Sequence, residues 1–276
     1  YFLSFSYDEG ITEEKLLVDN IEIFDLNKKN NNSALNSIID TFKLYKNKLI
    51  ISVLPSNYKM YTDAFFSFFN KMEIIDKNVN FSDIVELIST LSKKEMKLFN
   101  ELILAADISI EKVEYIEDFS KNKVFNLLSH YKINNNHSVM FSSISDSSGT
   151  QIFMAYIAKI IKLKKTGGIL IIDEIDRSLH TLLSKSLITL FNATENKNIQ
   201  LLTTSHDLEL LDCLNLFRKD QIWFTYKDNK QVYFYSLNDF KPALDKQVRN
   251  KTMISYLKGT FGALPHPNIE EVFYED

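Results

Sequence analysis

Two adjacent carboxylates at the end of an apolar run are the residues of this sequence best placed to do chemistry. GGILIIDEID at 167–176 carries four aliphatic residues into Asp173 and Glu174. The run has no polar alternation, so it predicts a strand buried on both faces, as in the middle of a parallel sheet. Such a strand delivers its last residues to the crevice where α/β proteins bind ligands. There the first carboxylate could hold a hard divalent cation, directly or through water. The second could polarise an attacking water as a general base. An acidic pair at a strand end can also simply cap the next helix, and the dipeptide alone does not decide between these.

Three further motifs shift the balance towards chemistry. TTSH at 203–206 ends a second apolar run, NIQLL, and sets His206 at the tip of a strand. From there a histidine could bond a phosphate oxygen, although a lone histidine is more often a surface or capping group. SDSSGTQ at 145–151 offers Ser147 or Ser148 as the cap of the following helix, with Gly149 allowing close backbone approach. Free N–H groups at a helix start attract an anion, and an ordinary cap without a ligand has the same sequence. DRSLH at 176–180 brings Asp176, Ser178 and His180 into a loop suited to a subunit interface, where Asp176 or Ser178 would also serve as a helix cap.

The elements that must position these residues alternate in type after about residue 138. VMFSSIS predicts a short strand, QIFMAYIAKIIKLKK a helix with a basic last turn, GGILIIDE a strand, SLHTLLSKSLITLFNA a helix, NIQLLTTSH a second buried strand, and DLELLDCL the opening of another helix. That alternation implies a parallel sheet covered by helices on both faces. QIWFTYK and KQVYFYSL predict a hairpin turning near Asp228-Asn229, and the KTMISYLKGTFGALP tail a helix stopped by Gly and Pro. Upstream, residues 2–7 alternate like a half-buried strand, with NIEIFD at 20–25 as hairpin partner, and NKKNNNS at 27–33 reads as a loop. Residues 34–134 have mostly helical spacing, including a stripe of Phe65, Phe66, Phe69 and Met72 expected to be packed core. The predicted division is therefore an α/β core from 1–29 and 136–276, with a helical insertion over 30–135 holding a core of its own.

Composition excludes several classes. The chain has 276 residues, 45% hydrophobic and 25% charged, in the range of globular proteins. Its net charge of −4 argues against a chain-wide basic nucleic-acid surface, while a local basic face stays compatible and DNA binding is left open. Cys213 is the single cysteine, which suits a reducing cytoplasm. No apolar run is long enough to span a membrane. The start, YFLSFSYDEG, lacks Met and any signal-peptide pattern, and reads as the middle of a strand continuing from an upstream segment. His130, His137 and His266 show no metal-ligand spacing.

The four motifs, in this order, resemble those of ABC/SMC-like ATPases. They are most similar to the AAA-family ATPases of ABC architecture in bacterial abortive-infection and restriction loci, related to the overcoming-lysogenisation-defect family. SSGTQ resembles the ABC signature, with Thr150 where a second Gly is usual. GGILIIDEID resembles the Walker B strand, DRSLH the D-loop and TTSHD the switch-histidine loop. FRKDQIWF, YSLNDF and YLKGTFGALP extend the likeness to about residue 265, and LPSNY and LILAADISIEKV carry it into the upstream section. Thr181 departs from the family, which usually has Pro there.

The resemblance implies a P-loop NTPase fold of ABC type with a parallel sheet, small antiparallel hairpins and a helical insertion. It implies ATP and Mg²⁺ as cofactors, with Asp173 on the metal, Glu174 activating water and His206 at the γ-phosphate. Ser147, Ser148 and Gly149 would complete the nucleotide site of a second protomer, with Asp176, Ser178 and His180 at that interface. It further implies a homodimer or higher oligomer, a separate effector protein and a role in antiviral defence. One required piece is missing: none of the six glycines is followed by Lys-Ser or Lys-Thr, so residues 1–276 hold no Walker A loop. An ATPase-like scaffold that binds a partner without hydrolysis also fits that gap. An SMC-type repair protein would need long heptad arms, which the sequence lacks.

Overall fold

The computed structural model describes residues 1–6, 10–29, 32–43, 48–75, 79–106, 109–118, 124–134, 137–193, 196–212, 216–227, 231–240 and 252–264. They form two compact units, Tyr1–Lys71 and Met72–Asp276.

The first unit is an antiparallel meander of β1 (Phe2–Ser6), β2 (Gly10–Val18) and β3 (Ile21–Asp25), with α1 (Ser33–Phe42) and α2 (Lys59–Phe69). The strand predicted over 2–7 pairs with β2, not with 20–25; β2 is the central strand and pairs with both. The reason is Asp19-Asn20. Both residues adopt left-handed backbone, at φ 50° and 65°, and close a two-residue hairpin turn from β2 into β3. Leu35 and Ile39 of α1 pack with Phe24, Ile50 and Ile51 in a closed core. Glu14 is buried beside that core, and its carboxylate accepts from the backbone N–H groups of Ile50 at 2.7 Å and Ile51 at 2.9 Å, which satisfies its charge. The expected Phe core of α2 is corrected: Phe66, Phe68 and Phe69 are all exposed, and only Phe65 of the stripe packs on the core.

The second unit contains β4 (Met72–Ile75), α3 (Phe81–Ser89), α4 (Lys93–Ala105), β5 (Ile110–Asp118), β6 (Val124–Asn134), β7 (His137–Ser142), α5 (Ser148–Thr166), β8 (Gly168–Ile172), α6 (Thr181–Asn192), β9 (Ile199–Thr203), β10 (Trp223–Lys227), β11 (Val232–Ser236) and α7 (Thr252–Leu257). Three sheets result: parallel β4-β8-β9, antiparallel β5-β6-β7, and the β10-β11 hairpin. The predicted parallel sheet and hairpin are therefore present, and Asp228-Asn229 and Cys213 lie outside the described residues.

The insertion over 30–135 is corrected on three counts. The unit boundary falls at 71/72. Residues 110–118 and 124–134 are strands, because the alternation in IEKVEYIED and VFNLLSHYKIN outweighs the helical spacing around them. Finally, Ile84, Val85 and Ile88 of α3 and Phe99 and Ile103 of α4 share one core with α5, Leu170 and Ile172, so these helices have no separate core.

Winding order explains how the parallel sheet is covered. The chain steps from β4 to β8 and from β8 to β9 in the same direction across the sheet. Right-handed crossovers then place their helices on the same face. Leu170, Ile172 and Ile199 point to that face and pack with Ile157 and Ile161 of α5 and Leu187 and Ile188 of α6. On the opposite face, Ile74 and Leu202 flank Ile171 in register and stand 65% and 59% exposed. The expectations of a sheet covered on both faces and of a β9 buried on both are thus corrected: among the described residues the helices cover one face, and Ile74 and Leu202 stand on the other. Of the helix expected from 207 onward, the described residues form a 3-10 helix at Leu208–Asp212.

Candidate functional site

Strand β8 ends at Ile172, and the chain then leaves the sheet in a loop, 173–180, that contains all the predicted acidic residues. Asp173 is still held at the strand end by its N–H to the Ile75 carbonyl of β4, at 3.2 Å. Glu174 takes left-handed backbone at φ 56° and Ser178 at φ 59°. Left-handed residues other than Gly cost about 1–3 kcal/mol each and persist where their surroundings fix them. For Glu174 the fixing group is Thr204, just past the end of β9.

Thr204 uses every polar atom it has on the acidic loop. Its Oγ1 accepts from the Glu174 N–H at 2.8 Å and donates to Asp173 Oδ1 at 2.7 Å. Its N–H donates to the Ile172 carbonyl at 3.2 Å, and its carbonyl accepts from Ile175 N–H at 3.1 Å. The two strand ends are thereby fastened beyond the sheet. One oxygen of Asp173 is committed to Thr204, and its other oxygen is the one that could face a cation. The sequence reading missed Thr204. The signal was a second threonine at the end of an apolar strand, where burial gives no reason for a hydroxyl.

The same fastening brings the predicted histidine to the predicted base. His206 Nε2 lies 3.9 Å from Glu174 Oε1, with the imidazole 85% exposed and free to turn. Its backbone N–H donates to Asp176 Oδ1 at 3.3 Å, tying the two loops again. Thr181 Oγ1 donates to Asp207 Oδ2 at 2.6 Å. The residue that departs from the family pattern thus makes a tether that Pro could not make. Beneath the loops, burial and then the negative charge of Asp176 push the Tyr156 hydroxyl up to about 12, so it stays protonated.

Two capping expectations are resolved. Ser147, not Ser148, caps α5: its Oγ accepts from Thr150 N–H at 3.1 Å, and Ser148 is the first helical residue. Helix α6 is capped by His180, whose Nδ1 accepts from Leu182 N–H at 3.2 Å, so neither Asp176 nor Ser178 is the cap. Ser147, Ser148, Ser178, His180 and Asp173 are exposed, and Gly149 is buried.

Gly149 joins the start of α5 to the acidic loop. A Cβ placed on it would stand 2.1 Å from the Ser178 carbonyl oxygen. Ala at an exposed helix position normally gains about 1 kcal/mol over Gly. At this position the sign should reverse: Gly149→Ala is expected to lower stability by about 1–3 kcal/mol through overpacking. Chemical denaturation of the two proteins checks this, and an unchanged or raised midpoint would show that the loop yields.

The donor set suits magnesium. Among the described residues no group of three His, Cys, Asp or Glu side chains could hold a metal ion. Mg²⁺ commonly takes one or two protein carboxylates and leaves its remaining positions to phosphates and water, which matches Asp173 with Glu174 beside it. Among the described residues no helix is long and apolar enough to cross a membrane.

A family model described as "AAA domain, putative AbiEii toxin, Type IV TA system" matches residues 4–212. No curated protein matches the chain. A solved structure from work on the structural biochemistry of ATP-driven dimerization and DNA-stimulated activation of SMC ATPases is similar at 11% identity and a TM-score of 0.42, covering 61% of this chain and 94% of that one. The mixed α/β architecture, with its parallel sheet, antiparallel hairpins and helices, fits a P-loop NTPase core.

Proposed function

We propose, from the premise that this chain belongs to the AbiEii-type AAA domain family, that it carries the hydrolysis half of an ATP site shared between two protomers. Family membership supports an ATPase-type function. The observation that carries the finer reading is the Thr204 fastening, which sets Asp173, Glu174 and His206 together at the carboxyl ends of two parallel strands. In this reading Asp173 binds Mg²⁺, which when present neutralises phosphate charge. Glu174 orients water and takes its proton, and His206 turns from Glu174 to a γ-phosphate oxygen. Ser147, Ser148 and Gly149 present the start of α5 to the phosphate of the facing protomer, with Asp176, Ser178 and His180 along the contact.

A Walker A loop is required from outside residues 1–276. The sheet has room for it. A strand added at the free edge of β9, crossing back to the β4 side by a right-handed connection, would lay its helix on the face where Ile74 and Leu202 are exposed. The winding would reverse beside β9, and such reversals are where α/β sheets bind ligands. The family description, which names an AbiEii toxin of a type IV toxin–antitoxin system, supports a defence role, and in our reading ATP state controls a separate effector. The absence of Gly-Lys-Ser/Thr favours a second reading, a partner-binding scaffold without hydrolysis.

Phosphate release separates the two. The full-length protein is expected to hydrolyse ATP only with Mg²⁺ present, and a polypeptide of residues 1–276 alone is expected to release none. A full-length protein that binds ATP without turnover at any Mg²⁺ concentration favours the scaffold instead.

A further inference from the structure

Asp146 immediately precedes the cap of α5, which is an awkward place for a negative charge if the start of that helix is to receive a phosphate. Its side chain is turned away from the helix and held by a group of hydroxyls. Tyr131 OH donates to Asp146 Oδ1 at 2.5 Å, and Ser129 Oγ donates to Oδ2 at 2.6 Å. Ser129 and Tyr131 are two apart on β6 and so share one face of the strand. Ser129 Oγ also lies 2.7 Å from Ser143 Oγ. A hydroxyl has one proton to give. With the Ser129 proton on Asp146, Ser143 donates to Ser129, and the chain of bonds runs in one direction from Ser143 to the carboxylate. Ser129 and Ser143 are both fully buried, so water does not compete for the bond between them. Burial, and then the Asp146 carboxylate, hold the Tyr131 hydroxyl far above the usual phenol range, so it remains a donor.

The rest of the loop needs this anchor. Ile144 is 62% exposed and contributes no buried apolar contact. Gln151, from the first turn of α5, donates through Nε2 to the carbonyls of Ser143, Ile144 and Asp146 at 3.0–3.1 Å. Those bonds fold the loop onto its own helix. Among the described residues, the side-chain bonds from Ser129 and Tyr131 to Asp146, and from Ser143 to Ser129, tie it to β6.

We propose that Asp146 is a positioning residue, which anchors the loop before α5 to β6 and so fixes the direction in which the first N–H groups of α5 meet a phosphate held by the facing protomer. The proposal rests on the shared-site reading above. It gives the sheet β5-β6-β7 a route to the nucleotide: a displacement of β6 moves Asp146, and with it the cap at Ser147.

The test uses the full-length protein and four variants. Asp146→Ala removes the anchor, and Tyr131→Phe removes one donor at little cost in shape. Asp146→Asn keeps an acceptor for one hydroxyl and offers its amide to the other. Tyr256→Phe is the control, removing a polar tether outside that sheet, where Tyr256 OH donates to the Ala263 carbonyl at 2.9 Å. Two quantities are read: hydrogen exchange at the Thr150 amide, which bonds the Ser147 cap, and the ATP concentration that drives dimer formation by light scattering. Asp146→Ala and Tyr131→Phe are expected to speed Thr150 exchange and to raise that ATP concentration, each about tenfold, or about 1.4 kcal/mol. Asp146→Asn should stay within about threefold of wild type, since most of the anchor survives. Tyr256→Phe should lower the melting temperature and change neither quantity.

Unchanged Thr150 exchange in Asp146→Ala overturns the proposal. So does an equal shift of the ATP midpoint in Tyr256→Phe, which would mean general loss of stability. If Thr150 exchange responds as expected while the midpoint does not, the anchor has no bearing on the nucleotide and the proposal falls. If wild type does not dimerise with ATP, the shared-site reading fails by itself, and faster Thr150 exchange in Asp146→Ala alone still supports the anchor.

Discussion

Full-length protein carrying Glu174→Gln is expected to lose about 10²–10⁴-fold in ATP turnover while forming an ATP-bound dimer that persists. Glutamine keeps the shape of the side chain and its bonding capacity and removes its basicity. The backbone at this position is set by the bond from its N–H to Thr204, which the substitution leaves in place, so the left-handed turn should survive. Asp173 keeps its partner and its free oxygen. Binding of Mg²⁺ and ATP should therefore continue, and the closed state should accumulate because its exit through hydrolysis is slowed. Phosphate release measures the first effect and light scattering at saturating ATP the second. Turnover within a few-fold of wild type would remove Glu174 as the base. A variant that stays monomeric at saturating ATP would contradict the shared site.

Restored activity on mixing two inactive proteins is the second large effect. Ser148→Arg places a long cation at the start of α5, and Glu174→Gln removes the base; each alone should be nearly silent. If α5 serves the facing protomer, the mixed dimer collects both lesions in one site and leaves the other intact. Random pairing then returns about a quarter of wild-type activity, one intact site in half of the dimers. If Ser148 serves its own chain, every site in the mixed dimer carries a lesion and nothing returns. The structure bears on this through Gly149, whose contact with the Ser178 carbonyl packs the start of α5 onto the acidic loop's outer end. The two motifs thus pack closely within one chain, and a displacement of one is expected to press on the other. No recovery, with mixed dimers shown to form, would reduce SDSSGT to a helix cap.

The residues that carry these predictions were legible because strand ends announce themselves. A short aliphatic run bounded by turn signals reads as a strand, and Asp173 and Glu174 follow one such run directly while His206 stands a few residues past the other. The helix after SDSSGT, the hairpin at 223–236 and the mixed α/β class are local readings of the same kind.

Other features were decided by the tertiary structure, and each depends on a partner distant in sequence. Two-residue alternation in 110–134 was outvoted by helical spacing around it until strand pairing with β7 settled it. Strand β4 is four residues long, too short to show a period, and exists because β8 offers it a parallel edge. The exposure of the α2 phenylalanines could not be read from their spacing, since a stripe records which residues share a face and not what lies opposite. Thr204 and Asp146 belong to this group as well. Their roles lie in hydrogen bonds to residues 31 and 17 positions away, to Asp173 and to Ser129. The sequence by itself determined which residues could do chemistry, because side-chain type and strand ends are local properties. Only the tertiary structure decided which hydroxyls hold them in place, because a hydrogen bond needs distance and direction, and the folded chain alone supplies both.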